Sequence, residues 1–167
     1  MENVSINKSI HLSEHITLGE VTKSRHTEIY NIPSHVAIEN LKRVCSWLEE
    51  LRKRYNLRYV LRSVSPPNLG GEEDTPIIIT SGYRSAQLNR KVGGSATSNH
   101  LTGCAVDIRV AGIEQAMRYA VILMDYADET KQDYDEILIE RNRYGAIWLH
   151  FAVRPKDNRR KTMFLQK

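Results

Sequence analysis

At 167 residues the chain suits one domain, and a domain of that size buries roughly 70% of the surface its unfolded form exposes, so no disulfide or metal is needed merely to hold it together. A formal net charge of +4 gives a mildly basic surface suited to an anionic polymer, but the basic residues are scattered among acids and form no stripe with interleaved aromatics, which argues against nucleic acid. Met1 to Lys8 holds no apolar signal core and no segment reaches the ~20 apolar residues of a membrane span, so the expectation is a soluble monomer, cytoplasmic as synthesised, without membrane insertion.

In chain order, residues 1–15 are polar and weakly patterned and read as an N-terminal arm. Thr17 with Glu20 three residues on is a capping box opening a short helix from Leu18 to about Ser24. After a turn at Pro33, the residues Ile38, Leu41, Val44, Leu48, Leu51 and Tyr55 recur at three- and four-residue steps, predicting a long amphipathic helix from about Val36 to Tyr55. Residues 56–75 contain Pro66-Pro67, Gly70-Gly71 and three consecutive acids and read as a surface loop, with a short strand expected over Tyr59 to Val64. Pro76 to Thr80 is apolar and β-branched, a buried strand that delivers the chain into a turn at Ser81-Gly82-Tyr83, and a brief helix fits between Ser85 and Val92.

From Gly93 the chain is polar and flexible up to Leu101, then apolar through Ala105, Val106, Ile108 and Val110, the pattern of a loop feeding a half-buried strand. Gly112 opens a second helix, ending near Asp128, whose Ile113, Ala116, Met117, Ala120, Leu123, Met124 and Ala127 share a face. Tyr134 to Glu140 and Ala146 to Val153 then form a hairpin, and Arg154 to Lys167 reads as a basic tail whose only apolar cluster is Met163 to Leu165. The elements amount to a single α+β domain.

A zinc site that catalyses needs three protein ligands and one open position. His100, at the end of the loop, and Asp107, on the strand after it, offer two ligands. His150 is the remaining late histidine, and on strand parity it shares a face with Trp148. If the Asp107 strand lies beside the His150 strand, the three come together, but a histidine among apolar neighbours is more often a hydrogen-bonded core group than a ligand. His11, His15, His26 and His35 fall early in the chain and read as surface residues; Cys45 and Cys104 have no partner at metal-ligand spacing and read as reduced packing groups.

Taken together, S-G-Y-R-S at Ser81 to Ser85, L-N at Leu88-Asn89, V-G-G at Val92 to Gly94, S-x-H at Ser98 to His100, G-x-A-x-D at Gly103 to Asp107 and W-x-H at Trp148 to His150 closely resemble the zinc D-Ala-D-Ala carboxypeptidases. Those cell-wall peptidases share a fold with vancomycin-resistance dipeptidases and the hedgehog signalling domain. L-G-E-V-T-K-S at Leu18 to Ser24 and the long helix also look like the short members found in bacteria and their phages.

The resemblance implies a Hedgehog/DD-peptidase-like fold, an antiparallel sheet flanked by helices, with one zinc per chain held by His100, Asp107 and His150. It implies that Arg84 approaches the substrate carbonyl or carboxylate and that Ser98 lines the substrate site, although Ser98 fits a loop serine bonded to its own backbone as well. For the general base it nominates Glu140, at the end of a D-E-I-L-I-E strand similar to that of the short members, with Glu136 on the same strand face as the rival. Residues 56–75 look longer than the usual link and read as a surface insertion or a lid. The function implied is hydrolysis of peptidoglycan stem peptides, by a carboxypeptidase or an endopeptidase of the phage-lysin kind that acts on the wall once released. The other class of function is a zinc-stabilised binding module without turnover, which the hedgehog relatives show the fold permits.

Overall fold

The computed structural model describes residues 7–60 and 74–167, to which every structural statement here refers. Helix α1 (Leu18–Thr22) opens with the expected capping box: Thr17 Oγ1 accepts from the Glu20 amide, and Glu20 Oε2 accepts from the Thr17 amide at 2.8 Å. The described part of the expected arm, residues 7–15, is docked. Leu12 N donates to Ile16 O at 2.8 Å, and Glu49 on the following helix receives both Ser13 Oγ and His15 N.

Helix α2 (His35–Tyr55) starts where Ser34 accepts from the Ala37 amide. Its stripe of Leu41, Val44, Leu48 and Leu51 is fully buried, each such side chain contributing about 1.5–3 kcal/mol of apolar transfer free energy. Helix α2 runs on into a π-helical turn, Asn56–Val60, so the part of the expected Tyr59–Val64 strand that is described is helical; the rest of that strand, and most of the 56–75 loop, fall outside the described residues. Buried Asn56 ties the two sides of this excursion, its Oδ1 accepting from Thr75 N at 2.7 Å and its Nδ2 donating to Thr75 O at 3.0 Å.

Strand β1 (Ile79–Ser81), helix α3 (Ala86–Lys91, capped by Ser85), strand β2 (Ala105–Arg109) and helix α4 (Ile113–Thr130) follow. The buried face of α4 keeps Ala116, Ala120, Leu123 and Ala127 as expected, but it differs on one side. Ile113 and Met117 are 44% and 51% exposed, while Tyr119 and Ile122 are buried, because α4 packs against α2 as well as the sheet: Tyr119 meets Tyr55 edge-on at 4.8 Å. Strands β3 (Glu136–Arg141) and β4 (Ile147–Ala152) form the predicted hairpin.

The five strands lie in the order β1-β2-β4-β3-β5, where β5 is Lys161–Gln166. Two expectations are corrected here. The basic tail is not a tail throughout: it carries an edge strand. The sheet is accordingly mixed, since β1 to β4 pair antiparallel but β5 runs parallel to β3. The reason is topological: β5 runs opposite to β4, which precedes it, and lands on the far side of β3. As an edge strand it buries little, with Phe164 65% exposed.

Strand alternation divides the sheet into two faces. Val106, Ile108, Ile137, Ile139, Leu149 and Phe151 join α2 and α4 in the core, centred on Trp47, whose ring meets Tyr126 at 4.8 Å and Phe151 at 5.5 Å. Asp107, Leu138 and His150 form one cross-strand row on the opposite face, which floors a cleft.

Candidate metal centre and cleft

His100 sits in a short 3₁₀ turn, Asn99–Thr102, that is clamped from two sides. The Ser81–Ser85 turn zips onto it: Arg84 N donates to His100 O at 3.0 Å, and His100 Nδ1 lies 2.6 Å from Gly82 O. Helix α2 supports it from the other side through Asn40 Nδ2, which donates to Thr102 O at 2.9 Å. Gly82 is required by close approach, since a Cβ there would stand 2.2 Å from the Val21 carbonyl oxygen. Asn89, in the L-N motif, is buried; it donates to Ser95 O and accepts from Arg84. Gly94 fits against it, because a Cβ at that position would meet Asn89 Oδ1 at 2.1 Å.

Asp107 and His150 are direct partners across the β2–β4 ladder. His150 Nδ1 lies 2.9 Å from Asp107 Oδ1, and His100 Nε2 lies 3.4 Å from the same oxygen. One donor atom from each of the three residues falls within 4.8 Å of the others; His100 and His150 are buried, and Asp107 is half-buried at the cleft floor. These residues fit a zinc ion on their own chemistry: two imidazoles and a carboxylate converge, and the His100 Nδ1–H, by donating to Gly82 O, leaves Nε2 to face the group. Cys104 is buried and not among them; its thiol is pushed up by burial.

Protonation follows from the same contacts. Burial holds the His100 imidazole below its ordinary value. Burial alone would raise the Asp107 carboxyl, but charge and hydrogen bonds from His100 and His150 outweigh it and hold the group well below the usual carboxylate range. For His150 burial works downward, and hydrogen bonds to Asp107 and Glu136 overcome it, raising the ring to about 9. The contacts with Asp107 and Glu136 therefore favour the protonated form of the His150 ring.

Arg84 donates through Nε to Ser81 Oγ at 3.0 Å, through Nη1 to Asn89 Oδ1 at 3.3 Å and through Nη2 to Asp107 Oδ2 at 3.0 Å. Of the five N–H groups of a guanidinium, these use three. Ser98 lines the cleft, but its hydroxyl accepts from the His100 amide at 3.3 Å, which is the backbone-capping use of a loop serine.

The two acids of β3 have different surroundings. Glu136 Oε2 lies 3.2 Å from His150 Nε2 and receives Asn99 Nδ2 at 3.2 Å, while its Oε1 lies 3.0 Å from Arg159 Nη2. Glu140 is 3% exposed and its buried Oε2 has no hydrogen-bond partner among the described residues. Lys167 Nζ stands 2.7 Å from that oxygen, an ion pair without hydrogen-bond alignment, and the same ammonium lies 5.6 Å from the Trp148 ring centroid.

Sequence reasoning did not single out Asn99, Asp135 or Arg159. Asp135 is fully buried just before β3, where it accepts from Arg159 Nε and Nη2 at 2.9 and 2.6 Å and from Asn99 Nδ2 at 2.7 Å. The available signal was a carboxylate preceding a strand, with arginines in the segment that returns past it.

Residues 68–133 match the Peptidase M15 family. The M15 match takes in the Ser81 turn, His100 and Asp107 and ends before His150, so the third member of the cluster comes from the geometry of β4. No curated protein matches the chain significantly. The match and the His-Asp-His cluster together support a zinc peptidase, which implies a peptide substrate. No helix among the described residues is long and apolar enough to cross a membrane.

Proposed function

We propose that this chain is a single-domain zinc peptidase of Hedgehog/DD-peptidase-like fold that hydrolyses peptide bonds in peptidoglycan stem peptides. The observation that carries the reading is the convergence of His100, Asp107 and His150 on the floor of a cleft of about 850 Å³. His100, Asp107 and His150 would hold one ion. When bound, it supplies Lewis acidity, polarising a carbonyl and making water acidic enough to attack near neutral pH.

The protein's own groups do the rest. Glu140, buried on the cleft wall with an Oε2 that accepts no hydrogen bond among the described residues and is held only by the Lys167 ion pair, accepts the proton of the attacking water and passes it to the leaving amine. Arg84 uses its remaining N–H groups to donate to the oxygen on which negative charge develops, while its bond to Asp107 fixes its direction. Ser98 borders the substrate path. The cleft suits an anionic peptide: six Lys and Arg side chains line it against three acids, and all three acids are already engaged.

One observation favours the second reading, a binding module without turnover: Lys167 Nζ stands 2.7 Å from Glu140 Oε2, an ion pair that occupies the oxygen needed as a base. Incubation of zinc-loaded protein with purified muropeptides, followed by product masses, separates the two. Release of a terminal residue identifies a carboxypeptidase, and internal cleavage an endopeptidase. Stoichiometric zinc with no product under any condition sinks the peptidase reading and leaves the module.

A further inference from the structure

We propose that Glu136 is a positioning residue for the metal centre, one that dictates which nitrogen of His150 faces the ion, and that Asn99 and Arg159 hold it in place for that purpose. This rests on the metal reading above but assigns Glu136 a role distinct from that of a base.

The geometry separates the two nitrogens of the His150 ring. Nδ1 faces Asp107 Oδ1 at 2.9 Å, a member of the His-Asp-His group, and Nε2 faces Glu136 Oε2 at 3.2 Å, a carboxylate outside that group. A carboxylate that receives Nε2–H leaves the Nδ1 lone pair free for a metal and makes it a stronger donor. His100 is the mirror case: Nδ1 is committed to Gly82 O, and Nε2 is left for the ion. The two histidines thus need opposite tautomers, and each has its own acceptor to enforce the choice.

Glu136 is also poorly placed to take a proton from water, because both its oxygens are occupied. Oε2 carries His150 and Asn99, and Oε1 carries Arg159, with Lys161 Nζ at 3.7 Å. Arg159 and Asn99 are themselves fixed by the buried Asp135 carboxylate. Asn99 precedes His100 directly in the chain, so one network braces the support of one histidine and the turn that carries the other. The arginine comes from the return between β4 and β5.

The test is zinc affinity, measured by competition with a chromophoric chelator on the full chain, together with ¹⁵N NMR of the histidine rings in the zinc-loaded protein. Glu136→Ala is expected to weaken zinc binding about 10- to 100-fold, the usual worth of such a partner, and Glu136→Gln and Arg159→Ala to weaken it less. Glu140→Gln should bind zinc as the unmodified protein does. In the unmodified protein the His150 Nε2 proton should be visible and protected from exchange, and in Glu136→Ala it should exchange rapidly. Glu136→Gln is isosteric and decides the matter where Glu136→Ala does not fold. Unaltered zinc affinity in the Glu136 variants, or turnover lost in Glu136→Gln with affinity and ring signal intact, overturns the proposal. Unmodified protein that takes up no zinc removes the metal reading and this proposal together, whereas zinc uptake indifferent to Glu136 removes this proposal alone.

Discussion

The two faces of the sheet are built from the same strands, yet they obey different rules. Toward α2 and α4, Val106, Ile108, Ile139, Leu149 and Phe151 are apolar, buried and interchangeable in kind. Toward the cleft, Asp107, Glu136, Glu140 and His150 are polar, largely buried and individually assigned to partners. The first face holds the fold together through contact area, and the second holds charged groups against solvation cost, the groups that in the proposed function meet a metal and a substrate. Changes on the two faces should therefore separate stability from chemistry.

The largest effect is expected at His150. His150→Ala leaves two ligands, too few to hold zinc well, and elemental analysis should find metal and turnover lost together while the core melts cooperatively. Zinc retained at one per chain would show that the ladder partner of Asp107 is not a ligand. Next comes Glu140→Gln, which keeps size and hydrogen-bonding capacity but not the basic oxygen. Steady-state assay on muropeptides should show roughly 10²- to 10⁴-fold lower turnover, the worth of a positioned general base, with zinc unchanged. Full activity would leave the proton acceptor unassigned.

Leu149, one residue from His150 and facing the other way, is the contrasting site. Leu149→Ala should cost about 2–5 kcal/mol by denaturant unfolding while the folded fraction still binds zinc. Loss of metal at equal folded fraction would mean that the faces are not separable.

The last effect is a graded one, a pH dependence. In the metal-free protein His150 titrates near 9, above its ordinary value, so zinc must displace its proton. Apparent zinc affinity should rise about tenfold per pH unit from near neutrality and level off around pH 9. The stability of the metal-free fold has the opposite sign: protonated His150 contributes fully below an ordinary value of about 6.5, and that contribution is lost as pH rises through 9. Chelator titrations and thermal melts across pH 6 to 9 check both slopes. An affinity flat over that range would place the proton elsewhere.

What was legible in the sequence was whatever burial imprints as a period. Helix α2 shows a single stripe because one side of it is buried, and the β3–β4 hairpin alternates because each strand has one dry face. Helix α4 was legible only in part: Ala116, Ala120, Leu123 and Ala127 are buried as expected, but packing against two neighbours also brings Tyr119 and Ile122 inside and leaves Met117 out. Strand β5 was invisible because an edge strand that buries almost nothing has no period to show. At the site, parity put Glu136 and Glu140 on one face but had no means to tell them apart. That distinction needs the direction of the His150 ring and the return of Arg159 and Lys167 from β5 and its approach, which are relations across the fold and not along the chain.

The two tryptophans fall one on each side of this division. Trp47 lies at the centre of the core against Phe151, and Trp148 borders the cleft beneath the Lys167 ammonium. The protein thus carries two optical reporters with separate subjects. Emission from Trp47 follows the integrity of the packed interior. That of Trp148, in a protein with Trp47 replaced by phenylalanine, follows what enters the cleft and whether Lys167 moves away, so occupancy can be read in real time without a label.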